Sequence, residues 1–268
     1  MTKLADPSEN LDQVKPLLQG NFLFRELNEA GLANFLSQVQ DAESLSIEKF
    51  YSNRPIYTAF RQDEPLEYLY LVADGGPVVM RSTPLDRVIA IAYPGGCFGM
   101  HNLPIGYGRV SLAFPSLVEA HKTTDVIKLP IALVQELYNR DEDFQQRYDL
   151  LFELREKFQY HLLNCSTYPP QAVASLLRAL IYQERTLGNQ PQSDDIYLFD
   201  LPTDLIARAC QLNHRTVEQV LKGMIKVGLL QVNPASDSHG DWIRVTNPEG
   251  LKSVYGATRD KVDWWPLK

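Results

Sequence analysis

The 268 residues contain no run of about 18 apolar side chains, the length a helix needs to cross a bilayer. The first thirty residues are interrupted by Asp, Glu, Lys and Asn where a secretion signal would be apolar. A cytoplasmic protein with no membrane partner is the expectation. Cysteine is scarce: Cys97, Cys165 and Cys210 lie far apart with no CxxC pair, which leaves neither a disulfide framework nor a four-thiolate iron–sulfur cluster. The five histidines, His101, His121, His161, His214 and His239, never approach the short spacing that a metal site on strands demands. No metal and no enzymatic activity of the cupin-like kind is expected. Positive charge is also short. With Lys+Arg 26 against Asp+Glu 33 the net charge is −7, which excludes a globally electropositive coat for nucleic acid, so any DNA contact has to come from a local patch. What the chain does have is 44% hydrophobic residues, enough for one large or two small cored domains.

Residues 1 to about 48 carry Leu27, Leu32, Phe35, Leu36 and Val39 at three- and four-residue spacing, the period of short amphipathic helices. From Phe50 to Leu129 turn signals recur, notably Asp74-Gly75-Gly76-Pro77, Thr83-Pro84, Pro94-Gly95-Gly96 and Pro104. Between them lie β-rich runs such as Tyr68-Leu69-Tyr70-Leu71-Val72. Several short strands at roughly ten-residue spacing imply a sandwich, roll or barrel.

Asp141 to Cys165 has neither Pro nor Gly, which predicts one helix of roughly 25 residues and about 37 Å. Along it Phe144, Tyr148, Leu151, Arg155, Phe158, Leu162 and Cys165 follow in alternating steps of four and three. Such a heptad seam suits a partner helix, most economically its own copy across a two-fold axis; packing on its own domain is the alternative. Arg155 in that seam requires an anion. A carboxylate of the partner helix, such as Glu153 or Glu156, is the first expectation and an anionic effector the second. Tyr168-Pro169-Pro170 then ends the helix. The expected division is residues 1–140, 141–166 and 167–268.

Beyond this boundary, residues 171–186 read as a helix through Val173, Leu176, Leu177, Leu180 and Ile181, and 196–199 as a strand. In Leu201 to Leu230, Thr203 is placed to cap one helix with Leu205, Ile206, Ala209 and Cys210 as its apolar stripe. Asn213 is placed to cap a second with Val217, Val220, Leu221, Met224 and Ile225 facing inward and Gly228 ending it. Strands around Leu230 to Val232 and Trp242 to Val245 follow. Two short helices joined by a tight turn, then a β-hairpin, make a winged helix-turn-helix. The outward face of the second helix presents His214, Arg215, Glu218, Gln219 and Lys222, side chains able to meet base edges or phosphates in a major groove. Thr203, Asn213, Thr216 and Arg244 complete the expected DNA-contacting set.

In this order the segments resemble the Crp/Fnr family of bacterial transcription regulators over about 200 residues. Tyr68-Leu-Tyr-Leu-Val-Ala-Asp-Gly75 is similar to that family's strand and glycine turn, and Pro94-Gly-Gly-Cys-Phe-Gly99 to its PGDxFG signature. Leu201 to Leu230 is similar to the pattern LTxxxIAxxxGxxRxTVxRxLxxLxxxGLL. The resemblance implies an α+β fold: an N-terminal β-roll domain, double-stranded and jelly-roll-like, then a long dimerisation helix and a C-terminal winged helix-turn-helix. It implies a homodimer on a palindromic double-stranded DNA operator, its two recognition helices about 34 Å apart. RNA polymerase is a further expected partner. It also implies an effector pocket between roll and long helix, for which Phe98, Gly99, Met100, His101, Arg109, Ser111 and Arg155 are the candidates.

The departures from the pattern carry information too. Family members that bind cyclic nucleotide place a Glu directly after FG and an Arg-Ser or Arg-Thr pair about ten residues on; here Met100 and His101 follow Gly99, and Arg109 with Ser111 only approximates the clamp. Cyclic AMP is therefore not the expected effector, no cofactor is expected, and nothing singles out His101 or Cys97 as a haem ligand. Gln211 stands where the turn usually has Gly, which predicts a non-glycine residue in the left-handed region. From Gln171 to Asn247 seven basic residues stand against eight acidic ones, a balance that also suits a degenerate member binding a protein partner without reading DNA.

Overall fold

The computed structural model describes residues 7–41, 46–58, 67–82, 86–100, 115–163, 167–189, 191, 195–231, 242–257 and 262–265. These residues divide into two compact units. One comprises those up to Asp86 and from Ala90 to Glu156; the other comprises Arg87–Ile89 and those from Lys157 on.

The first unit opens with α1 (Pro7–Gly20) and α2 (Glu29–Asp41). Two antiparallel four-stranded sheets follow. One runs in the order β1 (Ser46–Phe50), β8 (Thr124–Pro130), β3 (Tyr68–Gly75), β6 (Cys97–Phe98); the other runs β2 (Arg54–Thr58), β7 (Pro115–Ala120), β4 (Val78–Ser82), β5 (Arg87–Ala92). The strand region thus begins at Ser46, four residues ahead of the Phe50 at which the period visibly changes. After β8 come α3 (Ile131–Arg140) and the long α4 (Glu142–Leu163).

Side chains on a strand alternate between faces, and β3 uses both. Leu69 and Leu71, with Ile127 and Leu129 of β8, join Val14, Leu18, Phe35, Val134 and Phe144 in one hydrophobic core under the helices. Tyr70 turns the other way, stacked on Phe98 at 4.8 Å between centroids and 6.5 Å from Tyr57 of the second sheet. This double coverage explains why Tyr68 to Val72 is a continuous apolar run rather than an alternating one. Phe24 ties the helical layer together, 5.4 Å from Phe35 and 5.3 Å from Phe144. The connection leaving β3 depends on Gly75: at φ +78 any Cβ would lie 2.1 Å from the Thr123 carbonyl oxygen.

The second unit is built around α5 (Pro169–Thr186), whose buried stretch runs from Ala172 to Leu177 and on to Ile181, with Arg178 only partly covered. Proline at its start occupies the first turn, where a missing N–H costs nothing. Against it pack α6 (Thr203–Cys210), α7 (His214–Lys226) and α8 (Pro248–Gly256). A three-stranded antiparallel sheet of order β10 (Leu230–Gln231), β11 (Trp242–Val245), β9 (Tyr197–Asp200) completes it. The expected helix-turn-helix and wing strands are present.

Candidate nucleic-acid interface

The helix pair is fixed from below by apolar burial. Leu205, Ile206, Ala209 and Cys210 of α6 and Val217, Val220 and Met224 of α7 are buried. Gln211 ends α6 at φ 54, ψ 40, the left-handed conformation its position predicts. The Asn213 side chain accepts a hydrogen bond from the Thr216 backbone N–H at 2.8 Å, so the first turn of α7 is capped and Thr216 is used structurally. Two expectations are corrected. Thr203 is the first helical residue rather than the cap, because Pro202 occupies the cap position without a side-chain hydrogen bond. Ile225 is 36% exposed, because it lies on the far flank of α7 from Val220 and Met224.

The outer face of α7 carries His214, Arg215, Glu218, Gln219, Lys222 and Lys226, all exposed. His214 Nδ1 lies 3.4 Å from Glu218 Oε1, one turn apart, so the acidic residue has a partner on its own helix. Arg244 on β11 is half-buried, with its Nε buried and unpartnered.

The expected seam on α4 divides. Phe144 and Tyr148 are fully buried in the first unit's own core, and Leu151 packs partly against it; these positions serve the fold because the helical layer closes over them. Phe158 is also buried, at 4% exposure in the single chain. Leu162, as a side chain, and Cys165 lie outside the described residues. Within the single chain Arg155 Nη2 is 3.4 Å from Glu156 of the same helix and its guanidinium lies 4.8 Å over the Phe152 ring.

Of the candidate effector residues, Phe98, Gly99, Met100 and Arg155 fall within the described residues. Gly99 is buried at φ +88, its missing Cβ leaving room for the Tyr68 carbonyl and the Tyr70 ring. Met100 belongs to the core rather than to an open pocket; its carbonyl accepts a hydrogen bond from the Tyr148 hydroxyl at 3.2 Å and its sulfur is 3.7 Å from Cys97 Sγ. Burial pushes the Cys97 thiol up to about 12 although Arg155 pulls the other way, and raises the Tyr148 phenol well above its ordinary range. His101, Arg109 and Ser111 lie outside the described residues. A separate cleft of about 180 Å³ opens between α1 and the first sheet, lined by residues including Leu17, Asn21, Leu71, Gly95 and Ile127, with no charged side chain in its lining. Asn21 is spent there on structure, donating to the Gly95 carbonyl at 2.9 Å and accepting from the Leu23 N–H at 3.0 Å.

No family model and no curated protein matches the sequence. Solved structures do. FixK2 from Bradyrhizobium japonicum superposes with a TM-score of 0.55 at 18% identity, covering 78% of this chain and 96% of that one. A CooA mutant from Carboxydothermus hydrogenoformans gives 0.53 at 15% identity over 80% and 88%. A CRP-family transcriptional regulator from Thermus thermophilus gives 0.50 at 19% identity over 78% and 96%. The chain has the Crp/Fnr fold.

Within that Crp/Fnr fold, the paired C-terminal tryptophans, whose sequence suits covering an apolar patch better than binding a ligand, do cover one; sequence reasoning missed only that the patch lies on α7. Trp265 is buried, Trp264 lies against Gly223 of α7, and the Val262 N–H donates to the Tyr168 hydroxyl at 3.0 Å. The available signal was Gly223 itself, an unforced glycine in mid-helix where Ala would be favoured by roughly 1 kcal/mol.

Proposed function

We propose that the chain is a homodimeric, sequence-specific DNA-binding transcription regulator whose reading element is α7. The observation that carries this reading is the division of that helix: one face buried, its first turn capped by Asn213, and a polar outer face holding Arg215, Gln219 and Lys222 clear of the fold. A guanidinium in the first turn can grip guanine through O6 and N7, an amide can do the same for adenine, and a carboxylate such as Glu218 can accept from cytosine N4. Lys222, further along, suits a phosphate. In this reading residues 1–140 form the sensor-type roll, 141–166 the dimerisation helix and 167–268 the reading head.

The regulator is independent of cyclic AMP. Met100 takes the place of the ribose-binding carboxylate that the resemblance implies, and its burial in the core supports the reading. The charge-assisted hydrogen bond forgone is roughly 1.5–3 kcal/mol, a ten- to hundredfold weakening. Isothermal titration with cyclic AMP is expected to give no binding tighter than about 10 μM; tighter binding with improved DNA affinity would overturn this part.

The function itself is tested by selecting bound fragments from randomised duplex DNA. The expected product is a palindrome with half-sites about one helical turn apart. Recovery of no sequence preference would refute it.

A further inference from the structure

The C-terminal segment 262–265 is held by two anchors in the second unit: Trp265, 2% exposed, and the Val262 N–H on the Tyr168 hydroxyl just before α5. Trp264 stands edge to face against Trp265, centroids 6.3 Å apart. Its six-membered ring covers Gly223 so closely that a Cβ there would lie 2.4 Å from Cε3. Gly223 lies on the same flank of α7 as Gln219, four residues before it, and Lys226, three after. The indole therefore stands at the border of the exposed face bearing Arg215, Gln219, Lys222 and Lys226, and it is itself partly exposed.

We propose that Trp264 is part of the DNA interface, packing its ring on the deoxyribose-phosphate strand that borders the major groove when α7 enters it. The inference rests on the reading of α7 as the DNA-reading element. Three features favour a nucleic-acid backbone over a protein surface as the occupant. The ring borders a face carrying three cations. An indole offers a flat apolar surface to a sugar together with an N–H donor for a phosphate. And the anchors on Tyr168 and Trp265 hold it in place before binding, so little ordering remains to be done on contact.

The chain has three tryptophans, and replacing the exposed Trp242 by Phe leaves Trp264 as the partly exposed one beside buried Trp265. Acrylamide quenching of full-length W242F then reports chiefly on Trp264. With a duplex recovered by selection at saturation, quenching is expected to fall severalfold. W264A is expected to bind that duplex roughly tenfold more weakly with an unchanged dependence on salt, because no cation is lost; W264F restores most of the affinity. Unchanged quenching in a complex that still forms, with W264A binding as the wild type does, would overturn the inference and leave the regulator reading intact. Failure of the wild-type chain to bind any duplex at low salt would overturn both.

Discussion

Single residues set the chemistry available to this chain, and burial shifts the titration of Tyr70, Cys97 and Tyr148 away from neutral pH. Cys97 is the plainest case, since burial holds its thiol protonated at neutral pH despite the nearby Arg155. Iodoacetamide on the folded protein at neutral pH is expected to label the partly covered Cys97 slowly, because its thiolate is scarce; labelling as fast as that of an ordinary exposed thiol, followed by mass spectrometry, would contradict the raised value. Glu184 behaves differently. Desolvation raises its carboxyl above the ordinary range even though Asn189 donates to it at 2.8 Å. A raised native value means that, over the interval between the ordinary and the raised value, the folded state keeps a proton the unfolded state has lost, so stability falls as pH rises through it. Glu184→Gln is therefore expected to raise the melting temperature near neutral pH, with the gain vanishing as pH falls below the ordinary carboxylate range. A pH-independent difference would show that the charge is not the cause. At this scale the sequence was legible where a residue acts through its own side chain: Arg215, Gln219 and Asn213 stand where their types and positions suggested. It was illegible where the cause is distant in the chain, as with Gly223, whose reason lies forty-one residues on in Trp264.

The elements follow from periodicity, and their partners do not. An alternation of four and three residues marks a helix face that must be covered, but the same spacing serves a second copy or the chain's own sheet. In α4 the first two positions, Phe144 and Tyr148, went to the sheet through Leu69, Leu71 and Ile127. The helix-turn-helix was easier because its parts report on one another. Gln211 leaves α6 in the left-handed region just before Asn213 caps α7. Gln211→Gly is expected to raise stability by up to about 1 kcal/mol by relieving that conformation. Asn213→Ala is expected to cost about 1 kcal/mol and to fray the turn that carries Arg215. Chemical denaturation of both variants checks the pair, and opposite signs are required.

At the scale of the whole molecule, a net charge of −7 means that under the proposed function affinity for DNA has to come from one local face rather than from the protein's overall field, so binding is expected to weaken steeply but from a modest start as salt is raised. Among the described residues no helix is long and apolar enough to cross a membrane. Light scattering at micromolar concentration is expected to show a dimer, and a monomer would remove the second reading head that a palindrome requires. The most direct test of the account is a gel-shift titration at low salt, comparing wild type and Arg215→Ala on a selected duplex and on a scrambled one of equal length. The wild type should prefer the selected duplex, and Arg215→Ala should lose about 1–3 kcal/mol on it together with the preference at one guanine. Equal binding of both duplexes by both proteins would contradict the claim that α7 reads DNA.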